Sequence, residues 1–364
     1  MYAFEPSEEQ KMLIEVINRY AGNDLRPAAR EAEEGEGFSS RLINKGWQIG
    51  ILQASLPEEF GGFGERSTVT SVLAMEELAW GDASGALQVM APGLFAVPLM
   101  LVGSEEQKLA YLPTIAAGDW TAYTAAFLEP YWDFDPMDMR LEAKKEGDKY
   151  ILSGEKCYVP LADQASNMIV YAKLDGQTQG FILKGDEVGL EIKERDKLLG
   201  FNAFPLYSVS LRNVSVPTQN RLGGENGHEF TPILNSARLA MAAVGLGISR
   251  AAFEYSRDYA KEREAFGVKI AQKQAIAFML AEMATEIEAI RLLTWEAAWM
   301  ADHQKEEAEK TAYLALSGAI DMAMMITDRA VQILGGHGYI REYPVEMWMR
   351  NGRGIASLTG LAMI

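Results

Sequence analysis

In the last third of the chain, apolar residues recur every three or four positions. Ile276, Leu280, Met283, Ile287, Ile290, Thr294, Ala297 and Ala301 fall on one face, and Tyr313, Leu316, Ile320, Ala323, Thr327, Ala330 and Leu334 on another. These stripes predict long amphipathic helices in an antiparallel bundle, with both stripes turned to the core. Upstream, Ala240, Ala242, Ala243, Gly245 and Gly247 offer a smooth helix surface for close packing. Gly245-x-Gly247 follows no strand, so a dinucleotide loop has little support there. Residues 1–118 also read as helical. Ser7 with Gln10 is a capping-box pattern, and a further helix is expected from Ser67 to about Ala79. Between these regions the period shortens. Tyr150-Ile151-Leu152, Met168-Ile169-Val170-Tyr171, Gly180-Phe181-Ile182-Leu183 and Leu206-Tyr207-Ser208-Val209-Ser210-Leu211 read as strands, separated by turn formers such as Gly147-Asp148 and Asp175-Gly176. The expected fold class is α+β. A helical domain spans 1–118, a β domain 119–222 and a four-helix bundle 223–364.

Composition changes this picture little, but charge narrows the partners. The 364 residues carry a formal net charge of −17, which argues against nucleic acid or an anionic membrane surface, since both require a basic face. An anionic ligand would need a local basic patch. No apolar run approaches the roughly 20 residues of a membrane span. The acidic opening Met1-Tyr2-Ala3-Phe4-Glu5-Pro6-Ser7-Glu8-Glu9-Gln10 fits neither a secretory signal nor an Arg-rich transit peptide. One cysteine, Cys157, excludes an internal disulfide and a Cys-based zinc site, so a reducing cytoplasm is the expected location. His228, His303 and His337 share no metal-ligand spacing.

Two segments stand out as chemistry. The first is Tyr259-Ala260-Lys261-Glu262-Arg263-Glu264-Ala265-Phe266-Gly267; the second is Gln332-Ile333-Leu334-Gly335-Gly336-His337-Gly338-Tyr339. An arginine offers planar, charge-assisted donors to phosphate oxygens, and glycines allow close backbone approach. Taken separately, Arg263 could be a bundle salt bridge and Gly335-Gly336 a helix C-cap. Taken together, they resemble the pair with which acyl-CoA dehydrogenases grip the diphosphate and adenine of FAD across a subunit boundary. The resemblance covers nearly the whole chain. It includes Leu56-Pro57-Glu58-Glu59-Phe60-Gly61-Gly62-Phe63-Gly64, Glu76-Glu77-Leu78-Ala79, Leu128-Glu129-Pro130, Ser153-Gly154-Glu155-Lys156, Val214-Ser215-Val216-Pro217 and Glu342-Tyr343-Pro344.

That resemblance implies α,β-desaturation of an acyl-CoA: a carboxylate removes the α proton and FAD accepts the β hydride. It also implies an electron-transferring flavoprotein as acceptor. The family's usual base lies in an Arg-Asp-Ala-Arg…Glu-Gly-Thr segment. Here that segment reads Arg350-Asn351-Gly352-Arg353 onward to Thr359-Gly360-Leu361, which places Thr359 at the base position. The other place used by the family, before an arginine on the first bundle helix, is Ala237. The flavin-ring threonine becomes Leu128, and the aromatic of the Trp-Ile-Thr motif survives as Tyr158 while its threonine becomes Pro160. Leu361 and Met363 replace the Thr and Gln that hold the FAD tail, and the sequence stops at Ile364 where relatives continue a helix.

Residues that the resemblance assigns to a neighbouring subunit's FAD are retained: Arg263, Phe266, Gln274, Gln332, Gly335 and Gly336. The expectation is therefore a subunit of a homo- or hetero-tetramer that completes a related partner's FAD site. Its own base is either supplied by the partner or relocated to Asp133, although Asp133 reads first as an exposed loop acid; Asp135 matches a family aspartate with a structural role. Trp132 and Phe134 are expected to crowd the usual CoA path. Two further readings remain open. One is a non-redox acyl-CoA-binding or structural subunit; the other is a non-oxidative acyl-CoA enzyme on the same fold.

Overall fold

The computed structural model describes residues 5–364. The leading Met1-Tyr2-Ala3-Phe4 of the targeting argument lies outside them. Seven helices come first: α1 (Glu8–Tyr20), α2 (Arg26–Glu34), α3 (Ser40–Trp47), α4 (Thr68–Gly81), α5 (Ala83–Val89), α6 (Gly93–Val102) and α7 (Glu105–Ala117). The expected capping box opens α1. Ser7 Oγ accepts from the Gln10 amide at 3.2 Å, and Gln10 Oε1 accepts from the Ser7 amide at 2.8 Å. Ser67 Oγ likewise caps α4 through the Thr70 amide. Nearly every residue of α4 is buried, because this helix runs between α1 and the C-terminal helices.

The middle region is a seven-stranded sheet. Its members are β1 (Tyr123–Ala126), β2 (Glu142–Glu146), β3 (Lys149–Pro160), β4 (Asn167–Leu174), β5 (Gln177–Lys184), β6 (Leu190–Arg195) and β7 (Leu206–Pro217). The order is β1-β4-β2-β3-β7-β6, with β5 paired to β4. The four expected strands are present inside β3, β4, β5 and β7. Sequence reading missed β1, which is short and small-residue-rich, and β2 and β6, whose Glu-Ala-Lys-Lys-Glu and Leu-Glu-Ile-Lys-Glu-Arg read as polar surface.

The C-terminal helices are α8 (Thr231–Glu262), α9 (Gln274–Asp302), α10 (Ala308–Leu334) and α11 (Val345–Gly354). A two-stranded hairpin, β8 (Glu264–Ala265) with β9 (Val268–Lys269), joins α8 to α9. The stripes hold at Met283, Ile287, Ile290, Thr294 and Ala297, and at Leu316, Ala323, Thr327, Ala330 and Leu334, all buried. Tyr313 corrects its stripe: it is 57% exposed, because the first turns of α10 run along the rim of a cleft. By length and composition α8 is apolar enough to cross a membrane, which counting uninterrupted apolar runs overlooked. Its apolar window is 83% buried inside the protein, as a bundle's central helix requires.

One histidine fastens β5 to the segment leading into α8. Gly180 donates its N–H to His228 Nε2 at 2.9 Å, and His228 Nδ1 donates to the Glu229 carbonyl at 3.1 Å. The bond accepted by Nε2 requires the neutral ring, and burial pushes its pKa down to about 4 from 6.5 although the Glu229 carbonyl pulls the other way. Unfolding lets the ring bind a proton that the native state refuses. The stability gained here is complete above pH 6.5 and lost as pH falls toward 4, on the order of 3 kcal/mol. Urea unfolding from pH 7 to 4 should show a shallower acid loss in His228→Gln; parallel curves would refute this.

Candidate active site

A cleft of about 800 Å³ lies between the sheet, the start of α8, α10 and the segment after α11. Its sheet side carries Leu128, Tyr158, Asp196 and Ser208, and its helical side carries Leu234, Arg238, Tyr313 and Thr359. Tyr158 sits where the pairing of β3 with β7 shifts between Lys156 and Val159, with φ of 52°. That bulge turns its ring to the cleft. Thr359 does line the cleft, whereas Ala237 is wholly buried on α8 between the lining residues Leu234 and Arg238.

The weak candidate Asp133 is not among the lining residues. Its exposed carboxylate is held by Arg140 Nη2 at 2.5 and 2.6 Å, as an ordinary surface ion pair. Asp135 turns its own loop by accepting the Met137 amide at 2.8 Å. Trp132 does not crowd the interior; its side chain stands fully exposed at the cleft mouth, and only Phe134 packs inward, edge-on to Phe127.

Two other acids do line the cleft. Glu129 is committed: Oε1 accepts from the Leu141 amide (2.9 Å) and Lys156 Nζ (3.0 Å), and Oε2 accepts from the Arg140 amide (2.8 Å). Lys156 and Glu129 are both almost completely buried. Burial drives the Lys156 pKa down to about 8, although the carboxylate beside it pulls the other way. Asp196 is different. Its Oδ1 accepts from Ser208 Oγ at 3.2 Å, while its Oδ2 is buried without a partner. Burial raises its pKa, against the opposing pull of Ser208 and the Tyr158 amide. The sequence held no signal for Asp196, because it lies beyond the end of the unrecognised β6.

A second, shallower groove of about 290 Å³ lies at the far end of the bundle, lined by Tyr259, Arg263, Ile270, Leu334, Gly336 and His337. Arg263, 69 residues before Gln332 in the chain, reaches it because α8 and α10 pack side by side. The Arg263 side chain is exposed and forms no ion pair or hydrogen bond with any described residue. Gly335 has φ of 60°, and a Cβ on either Gly335 or Gly336 would meet only open space. His337 Nδ1 lies 2.6 Å from Tyr259 Oη, and its ring stacks on Tyr343. Phe266 is 96% exposed, and Gln274 and Gln332 are also exposed but do not line the groove.

The family model for the acyl-CoA dehydrogenase N-terminal domain matches residues 7–119, and that for the C-terminal domain matches residues 230–361. The chain belongs to the acyl-CoA dehydrogenase family. It is 34% identical to a probable acyl-CoA dehydrogenase of Bacillus subtilis, an alignment covering 96% of this chain and 94% of that protein. It is 33% identical to a subunit of the caffeyl-CoA reductase–Etf complex of Acetobacterium woodii, covering 98% and 96%. Butyryl-CoA dehydrogenase from Megasphaera elsdenii superposes with a TM-score of 0.89 at 30% identity, covering 99% and 96%. This acyl-CoA dehydrogenase is accordingly a FAD flavoprotein oxidoreductase. An unpaired guanidinium beside a glycine pair with no side-chain bulk suits a diphosphate. The 800 Å³ cleft suits the flavin ring less well, because the lining residue Leu128 presents no hydroxyl; Pro160 is buried on β3 and does not line it.

Proposed function

We propose that this chain serves α,β-desaturation of an acyl-CoA as one subunit of an oligomer, completing the FAD site of a related partner while its own cleft lacks the base. The observation that carries this reading is the contrast between the two sites. Arg263 stands without an ion pair beside Gly336, whereas Thr359, the residue that the resemblance puts at the base position, lines the cleft. A threonine hydroxyl, with its very high pKa, does not take an α proton at neutral pH. When bound, FAD supplies the hydride acceptor that no side chain can provide. Arg263 would hold the diphosphate, with Gln332, Gly335, Gly336, Phe266 and Gln274 along the same dinucleotide; Tyr158 would face the ring in this chain's own cleft.

The partner is a related chain with a carboxylate at its base position, in a hetero-tetramer. An electron-transferring flavoprotein would reoxidise the flavin, a reading supported by the Etf-complex relative. A cytoplasmic location agrees with the lone buried cysteine. The deciding experiment purifies the chain by itself, reconstitutes it with FAD and adds a panel of acyl-CoA thioesters. The expected result is substoichiometric flavin and no substrate bleaching of the flavin spectrum. Full flavin occupancy with turnover by the chain unaided would overturn the proposal.

A further inference from the structure

The groove at the end of the bundle holds a second polar group besides Arg263. His337 lies in the short turn Gly335–Tyr339 that follows α10, and its ring is fixed from two sides. Tyr343 stacks on it with ring centres 5.0 Å apart and planes at 17°, and Tyr259 meets it edge-on at 84°. The Tyr259 hydroxyl lies 2.6 Å from His337 Nδ1. A phenol is the better donor of the two and an imidazole nitrogen the better acceptor, so Oη donates and Nδ1 accepts. The neutral ring then carries its proton on Nε2, because the bond made by one ring nitrogen decides what the other bears. Protonating the ring would reverse the bond to Tyr259 and still leave Nε2 a donor.

Nε2 has no hydrogen-bond partner among the described residues, and it is not one of the buried side-chain atoms left without one, so it remains accessible. Apart from Tyr259, Arg263 and His337, every residue lining the groove is apolar or glycine. Tyr259 is spent on His337. The guanidinium and the Nε2–H are therefore the two side-chain donors that the groove offers a ligand, and no carboxylate lines it to compete for them. Two donors with no acceptor beside them suit an anionic group that can only accept, as a diphosphate does.

We propose that His337 donates its Nε2–H to the diphosphate that Arg263 holds, and that Tyr259 is the positioning residue that fixes the ring for that bond. This rests on the Arg263 reading of the groove and adds a second donor and its support. The test is FAD affinity of the oligomer as isolated, with copurified partners retained, after its flavin is removed and titrated back. His337→Phe keeps a ring to stack on Tyr343 and loses both nitrogens, whereas His337→Gln loses the ring and keeps an N–H. His337→Phe should weaken FAD binding about tenfold or more, and His337→Gln should stay within roughly threefold of wild type. A histidine that served only to stack would give the opposite order. Tyr259→Phe should weaken binding about threefold when His337 is present and add nothing to His337→Phe, since it acts through that ring. Wild-type affinity in His337→Phe, an equal loss in His337→Gln, or full additivity of Tyr259→Phe with His337→Phe would each overturn the proposal. Arg263→Ala in the same titration separates the two readings. If Arg263→Ala weakens FAD and His337→Phe does not, only the role of His337 fails; if Arg263→Ala binds FAD as the wild type does, both fail.

Discussion

Arg263→Ala should strip most of the flavin from the assembled oligomer without loosening the fold of the mutated chain. The guanidinium makes no hydrogen bond or ion pair with any described residue of its own chain, so its removal breaks none. What it loses are charge-assisted donors to a diphosphate, worth about 1.5–3 kcal/mol for hydrogen bonds to a charged group. That corresponds to roughly a 10- to 100-fold weaker hold on FAD. Arg263→Lys should recover only part, because an ammonium cannot present the planar fork. Flavin absorbance per chain after gel filtration reads the first effect, and the melting temperature of the FAD-free protein reads the second. Unchanged flavin content, or a large loss of melting temperature without FAD, would show that Arg263 is only a structural residue.

The largest expected effect on stability lies elsewhere. Glu76 and Glu77, adjacent on the buried helix α4, are answered by Arg250 of α8 and Arg291 of α9. Arg250 donates to Glu77 at 2.6 and 2.7 Å and to Glu76 at 3.0 Å, and Arg291 Nη2 donates to Glu76 at 2.9 Å. Arg250 thus ties the first helical region to the bundle. Its carboxylate partners keep its guanidinium pKa raised although burial opposes them. Arg250→Ala would leave Glu77 buried with only the Asn18 amide as donor. Removing one side of a buried pair in this way costs about 3–5 kcal/mol. The double change Arg250→Met with Glu77→Gln should cost less than the sum of its parts, since no lone charge remains. Chemical unfolding of the three variants checks this; strict additivity would mean that the network carries no coupling.

Much of the architecture was legible before any coordinates. Periodicity placed α9 and α10, the Ser7–Gln10 pair opened α1, and four short strand-like runs between turn formers became strands β3, β4, β5 and β7. Each of these signals is local: a cap, a repeat of 3.6 or a repeat of 2 lies within a few residues. The strands that escaped were those whose side chains face solvent or whose length is too short to show a period. Tyr313 escaped for a related reason, since a stripe says which face is shared but not where the neighbouring helix ends.

By itself the amino-acid sequence determined which chemistry is present and which is missing. It showed an arginine and a glycine pair suited to a dinucleotide and, through the family resemblance, implied a threonine at the position of the base, because residue identity decides what can donate, accept or ionise. Only the tertiary structure decided which acids matter. It held Asp133 in a surface pair with Arg140, silenced Glu129 with a buried lysine, and brought Asp196 into the cleft with one oxygen unmet. The physical reason is that desolvation and hydrogen-bond satisfaction belong to surroundings assembled from distant segments, and no single stretch of chain encodes them.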